Sequence, residues 1–231
     1  MGMRGGRIMV ATSIGPGKEY ALPILRFALP RLMEDAHRLL VTYDGEPGDS
    51  FGGEVQRLPP AAPEWSLFGR CARMREAQRR YFLDSDCDYL YWHDCDMVTP
   101  ERMLRTLYAQ DAMVASGIYN VRGVEGLILP ILGFRPAADG TVPEHYGEFC
   151  ELDSSDGIIE PYAVGMGCMM VRRDVLARIP FRCPEWYEGG MGEDVRWCLD
   201  SKIRPKVNLR LTCAHFDADG TVTRPSIDEV P

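Results

Sequence analysis

The sequence predicts a single α/β domain with a mostly parallel central sheet flanked by helices, and three observations predict it. Apolar runs of strand length alternate with longer stretches of helical periodicity through the first half of the chain. Two of those runs end in carboxylates beside a turn, Asp44-Gly45 and Asp94-Cys95-Asp96, and open α/β sheets bind their ligands at the C-terminal ends of strands. A length of 231 residues with 45% hydrophobic content suits one large domain with a sizeable core. The domain is expected to span residues 1–216, in halves of about 1–119 and 120–216, with 217–231 as a C-terminal tail.

Taken in order, residues 7–12 are an apolar strand and residues 13–17 (SIGPG) a glycine-rich turn without P-loop spacing. Residues 19–36 read as a helix, begun or interrupted by Pro23 and Pro30. Residues 37–43 form a second strand, and 46–63 a Gly- and Pro-rich surface loop. Residues 68–83 form an arginine-dense amphipathic helix whose arginines suit a solvated face laced with salt bridges. The run Tyr89-Leu-Tyr-Trp92 has high β-propensity throughout. Thr99 as N-cap, Pro100 at N1 and Glu101 in the first turn then open a helix that continues to Gln110. Residues 112–119, 127–134 and 147–152 read as further strands. Gly165-Met-Gly167 precedes a buried strand and a helix. Glu193-Asp194 opens another helix, with Pro205 able to end it, and residues 204–211 form a basic strand before Cys213-Ala-His215-Phe. From Asp217 onward the chain is polar and expected to fray.

A net charge of −8 argues against nucleic acid as a partner, since such binders show a basic face. It does not argue against small anionic ligands, because a bound metal reverses the local sign. Eight scattered cysteines contain no C-x-x-C pair, and no apolar run approaches a membrane span. Together with the lack of an apolar leader segment, this points to reduced, mostly buried thiols in a cytoplasmic protein.

Asp94 and Asp96 are two apart, so an extended backbone would put both on one side of the pleat. There they can hold a divalent cation that grips a diphosphate. A D-x-D alone is short and common. A Gly-x-Gly is often a plain bend, a Glu-Asp pair often only a helix cap, and a single His in an apolar strand often a core residue.

The order of these signals is more specific than any one of them. D-x-D, a glycine-rich segment, Glu-Asp at a helix start and a late His together resemble the GT-A glycosyltransferases, in particular the inverting family-2 enzymes. Residues 72–90, with Arg75 and the Phe82-Leu83 helix end before the D-x-D strand, look like bacterial and viral members, as does Ala115-Ser-Gly117-Ile-Tyr119. The resemblance runs from about Arg7 to His215, with Glu76 where those members carry asparagine.

The resemblance implies one GT-A domain whose first half binds a nucleotide-sugar donor and whose second half binds an acceptor. It implies that Asp94, Asp96 and His215 hold Mn²⁺ or Mg²⁺, and that Thr12, Asp44 and Arg75 contact the donor. Asp194 matches the general base that deprotonates an acceptor hydroxyl, with inversion at the anomeric carbon. The acceptor class (glycan, lipid-linked or protein) is open, and UDP is favoured over GDP. Trp186 and Tyr187 suit a sugar-stacking platform.

Two rival enzymes share parts of the pattern. Asp94-Cys-Asp96-Met-Val98 also satisfies the nucleophile motif of haloacid dehalogenase-type phosphatases, but Lys18, Lys202 and Lys206 are the chain's only lysines and two strands precede the motif. A nucleotidyltransferase would want a basic glycine-rich loop after the first strand. Ser13-Ile-Gly-Pro-Gly-Lys18 imitates one in part, which makes this the runner-up.

Overall fold

The computed structural model describes residues 6–122, 128–130, 157–182 and 192–224. In chain order the first half holds β1 (Ile8–Ile14), α1 (Leu22–Met33), β2 (Arg38–Asp44), β3 (Glu54–Leu58), α2 (Leu67–Asp84), β4 (Tyr89–Trp92), β5 (Met97–Val98), α3 (Met103–Ala109) and β6 (Val114–Ile118). Then come β7 (Asn120–Arg122), β8 (Ile128–Pro130), β9 (Ile158–Ile159), β10 (Met169–Arg172), α4 (Arg173–Arg178), α5 (Glu193–Ser201), β11 (Lys206–Thr212), β12 (Ala214–Phe216) and β13 (Val222–Thr223). The main sheet has eight strands in the order β3-β2-β1-β4-β10-β6-β11-β9. β3, β2, β1 and β4 run parallel, and β6 and β11 are parallel to each other, while β10 and β9 are antiparallel to their neighbours. This is the α/β, mostly parallel sheet flanked by helices that the alternation predicts.

The period-2 alternation of the central strands builds a core on each face. Ile8 and Val10 of β1 and Tyr91 of β4 pack with Leu25 and Leu29 of α1 and Leu104 of α3. Met9 and Ala11, with Leu90 and Trp92, face Phe82 of α2, Val175 of α4 and Trp197 of α5. Each such buried side chain contributes on the order of 2 kcal/mol. Because both faces are covered, β1 and β4 read as continuous apolar runs rather than as alternating ones.

Several expectations need correction. The loop over residues 46–63 contains β3, an edge strand parallel to β2; its mostly exposed EVQRL sequence hides it from an apolar-run criterion. The helix over 19–36 starts only at Leu22, after a single 3-10 turn, and Pro30 sits inside it without ending it. Thr99 and Pro100 do not cap α3. That helix begins at Met103 behind Arg102 in the left-handed conformation, because residues 97–98 form β5, which pairs with β12. Pro100 disfavours helical backbone at Thr99 as the chain leaves β5. α5 ends at Ser201 on a left-handed Lys202, before Pro205 can act.

Residues 217–224 of the expected frayed tail hold regular structure. Residues 217–220 turn, and β13 pairs with the His215-bearing β12. Only β8 of the expected 127–134 strand lies among the described residues, and 147–152, Trp186 and Tyr187 lie outside them. Among the described residues no helix is long and apolar enough to cross a membrane.

Candidate functional site

The parallel strands β2, β1 and β4 bring their C-terminal ends to one edge of the sheet, with Thr12 opposite Val41 and Ala11 opposite Trp92. Gln78 of α2 ties this edge together. Its Nε2 donates to the Thr12 carbonyl and to Ser13 Oγ, each at 2.9 Å, and its Oε1 accepts from Trp92 Nε1 at 2.9 Å. Thr12 Oγ1 is buried without a hydrogen-bond partner. Asp44 Oδ1 accepts from the Ala61 amide at 3.0 Å and lies 3.9 Å from Arg73.

Asp94 and Asp96 follow β4 in a turn, not in continued strand, so the two carboxylates diverge rather than share one side of a pleat. Asp94 turns toward α2 and α5. Its Oδ1 lies 3.2 Å from Arg75 Nη2, and Arg75 Nε donates to Glu193 Oε1 at 2.9 Å. Asp96 turns the other way and is almost fully buried. Its Oδ2 accepts from Lys18 Nζ and, at 2.9 Å, from the Tyr20 hydroxyl, while His215 Nε2 stands 3.7 Å away. Burial alone would push the Asp96 carboxyl up, but the charges of Lys18 and His215 and the hydrogen bonds from Lys18 and Tyr20 hold it below its ordinary value.

The glycine-rich segment serves this turn. Gly167 accepts the Asp94 amide at 2.9 Å and donates to Tyr119 Oη at 3.1 Å. A Cβ on Gly167 would fall 2.5 Å from Asp94 Oδ2 and 2.9 Å from the Tyr119 ring. Gly167→Ala is therefore expected to cost about 1–3 kcal/mol by overpacking. It would be read as a lower urea unfolding midpoint, and an unchanged midpoint would mean that the turn gives way freely. Tyr119 also stacks on His215, with centroids 6.3 Å apart.

At the start of α5, Asp194 Oδ1 accepts from the Val195 amide at 2.7 Å, and the missing Cβ of Gly192 leaves room for that oxygen. Burial raises the Asp194 pKa against the opposing pull of Arg75, and Asp94 adds to the rise. Glu193, buried beside the Asp194 charge, is pushed up to about 7 despite Arg75. A carboxylate pair titrating above its ordinary range is suited to proton transfer near neutral pH.

Comparisons with known proteins agree on the architecture. No family model matches the sequence, and no curated protein matches it. Among solved structures, A197 from STIV is similar over 95% of this chain and 94% of its own, at 17% identity and a TM-score of 0.55. GalNAc-T7, solved with UDP, GalNAc and Mn²⁺, is similar over 91% of this chain at 12% identity and a TM-score of 0.58. This chain spans 44% of the length of that one. The fold is that of the GT-A glycosyltransferases.

Within this GT-A fold, α2 departs most from expectation. Two of its arginines do not belong to a solvated face: Arg75 and Arg79 are buried, and Arg79 Nε donates to the Leu176 carbonyl at 2.6 Å, whereas Arg80 is exposed and paired with Glu76 as expected. Glu76 accepts from Arg79, Arg80 and the Phe181 amide, which fixes α2 against the segment after α4. Lys18, Tyr20, Gln78, Tyr119 and Glu193 join the site without having been singled out for it. Of these, Lys18 closes the partial phosphate loop, while Glu193 belongs to the Glu-Asp pair and Tyr119 to the Ala115–Tyr119 segment that carry the resemblance.

Among the described residues no three His, Cys, Asp or Glu side chains gather as a ligand set. The donors present nevertheless suit Mn²⁺ or Mg²⁺. His215 Nε2 and Asp96 Oδ2 face each other beyond hydrogen-bond reach, and His215 Nδ1 is buried with no hydrogen-bond partner, its nearest acid being Asp217 Oδ1 at 3.6 Å. An ion that keeps several waters and takes substrate phosphate oxygens needs only one or two protein ligands.

Proposed function

We propose that this protein is a glycosyltransferase that moves a sugar from a nucleotide-diphosphate donor, UDP in preference to GDP, to an acceptor hydroxyl with inversion. One observation carries the reading: Arg75 bridges Asp94 of the D-x-D turn to Glu193 of the Glu-Asp pair, so both acidic motifs meet at the C-terminal edge of the parallel strands. In this reading Asp96 and His215 hold the divalent ion, with Asp94 beside them and balanced by Arg75. The bound ion would stabilise negative charge on the departing diphosphate. Thr12 and Asp44, at adjacent strand ends, face the nucleoside.

Asp194 accepts the proton of the acceptor hydroxyl as that oxygen attacks the anomeric carbon. Its raised pKa keeps it basic enough to do so, and Glu193 with Arg75 fixes its surroundings. The Tyr20 hydroxyl holds the Asp96 carboxylate in place. The acceptor is a glycan, a lipid-linked sugar or a protein, and not a nucleic acid. The free thiols among the described cysteines suit the reducing cytoplasm.

The test is calorimetric titration with UDP and GDP, each with and without Mn²⁺. Metal-dependent binding of UDP is expected. Asp96→Ala should abolish it, weakening UDP–Mn²⁺ binding by at least about a hundredfold, the loss of a buried charged ligand. Wild-type binding that is indifferent to metal and to this substitution would overturn the reading. Lys18 beside a metal-binding carboxylate is the observation that favours a nucleotidyltransferase instead. Release of pyrophosphate from a nucleoside triphosphate and a sugar phosphate would establish that alternative.

A further inference from the structure

Asp96, the carboxylate on which the proposed donor site depends, already carries a cation of the protein's own. Lys18 Nζ bonds Asp96 Oδ2, lies 3.0 Å from Tyr20 Oη and sits 5.4 Å from the Tyr20 ring centroid. Tyr20 donates to the same Oδ2 at 2.9 Å, and His215 Nε2 faces that atom at 3.7 Å. The Lys18 side chain is 39% exposed where Asp96 is 4% exposed, so the ammonium closes the solvent side of an otherwise buried acid. It stands just past the glycine-rich turn, next to Gly17 in the left-handed conformation.

A second cation cannot share this oxygen with Lys18, because like charges so close repel strongly. Lys18 has the means to leave: a flexible four-carbon stem, partial exposure and a place in a loop rather than in a strand. An ammonium displaced from a carboxylate is a ready point-charge partner for phosphate oxygens.

We infer that Lys18 is a displaceable counter-ion, seated on Asp96 while the donor site is empty and transferred to the donor's diphosphate when a divalent cation takes Asp96 and His215. The inference rests on the proposed function. It deepens that reading by making metal and nucleotide binding mutually dependent. Metal alone must expel Lys18 from Asp96 with nothing to receive it. Metal with a diphosphate moves Lys18 from one anion to another. Reciprocity then requires that each ligand tighten the other.

The experiment is Mn²⁺ binding followed by electron paramagnetic resonance of the free ion, with and without UDP, on the wild type, Lys18→Met and Lys18→Arg. In the wild type UDP should tighten Mn²⁺ binding by at least about tenfold. Lys18→Met should bind Mn²⁺ alone about tenfold more tightly than the wild type and lose most of the gain from UDP. Lys18→Arg should behave as the wild type. Unchanged or weaker Mn²⁺ binding by Lys18→Met, while the wild type still binds UDP–Mn²⁺, overturns this inference and leaves the proposed function standing. Wild-type binding of Mn²⁺ that UDP does not strengthen also overturns it, whatever the variants do. A wild type that binds neither Mn²⁺ nor UDP overturns the proposed function and this inference with it.

Discussion

Asp194→Asn is expected to lower kcat by about a hundredfold to ten-thousandfold, the contribution of a positioned general base. Metal-dependent UDP binding should be unchanged, because the proposed donor site rests on Asp96 and His215. The substitution is also expected to leave the fold intact. Asn keeps a side-chain oxygen for the Val195 amide and fits the space left by Gly192. It removes a charge that burial already disfavours.

The pH dependence follows with a definite sign. The folded-state pKa values of Glu193 and Asp194 are raised, so the native state binds protons more tightly than the unfolded chain does. This pair therefore stabilises the fold most below the ordinary carboxylate range and loses that contribution as pH rises toward about 7, the Glu193 value. Asp96, with its lowered pKa, works in the opposite direction at lower pH. In a kcat/KM profile the acid limb should lie above the ordinary carboxylate range, since the base must lose its proton first. Near-normal activity in Asp194→Asn, or an acid limb at the ordinary carboxylate position in the wild type, would remove Asp194 from the base role.

What the sequence disclosed and what it hid divide along one physical line. Largely buried strands such as Ile8–Ile14 and Tyr89–Trp92 stand out because both their faces must be apolar. Asp44, Asp94 and Asp96 stand out because carboxylates rarely follow such runs without a reason. The edge strand Glu54–Leu58 does not stand out, since one-sided pairing leaves its side chains free to be polar. The α2 arginines mislead for a related reason. Composition marks a guanidinium as a surface group, yet Arg75 and Arg79 each meet carboxylates or carbonyls supplied from far along the chain. Those partners are 97 to 118 residues away for Leu176 and Glu193, beyond any local pattern. The D-x-D spacing suggested two carboxylates with one task, whereas the turn after Trp92 gives them separate partners. The pairing of Lys18 with Asp96 depends on the same turn and on β1 lying beside β4.

Arg75→Met is expected to be the most destabilising single change in the site. The guanidinium is buried between Asp94 and Glu193 and stacks 5.9 Å from the centre of Trp92. Methionine can fill much of its volume but pairs with neither carboxylate. Glu193, 6% exposed, then sits beside Asp194 without the guanidinium that balances them. Removing one partner from a buried ion pair costs about 3–5 kcal/mol, which for a domain of this size lowers Tm by on the order of 10 °C. Asp94 is more open to solvent and contributes less to that loss. The remaining carboxylates should respond by taking up a proton, so the variant should recover stability as pH falls. A double substitution, Arg75→Met with Glu193→Gln, tests the cause directly. It removes the stranded charge as well as its partner and should restore at least half of the lost Tm. If the double variant is no more stable than Arg75→Met, the loss comes from packing against Trp92 rather than from charge, and Arg75 is not the electrostatic bridge between the two acidic motifs.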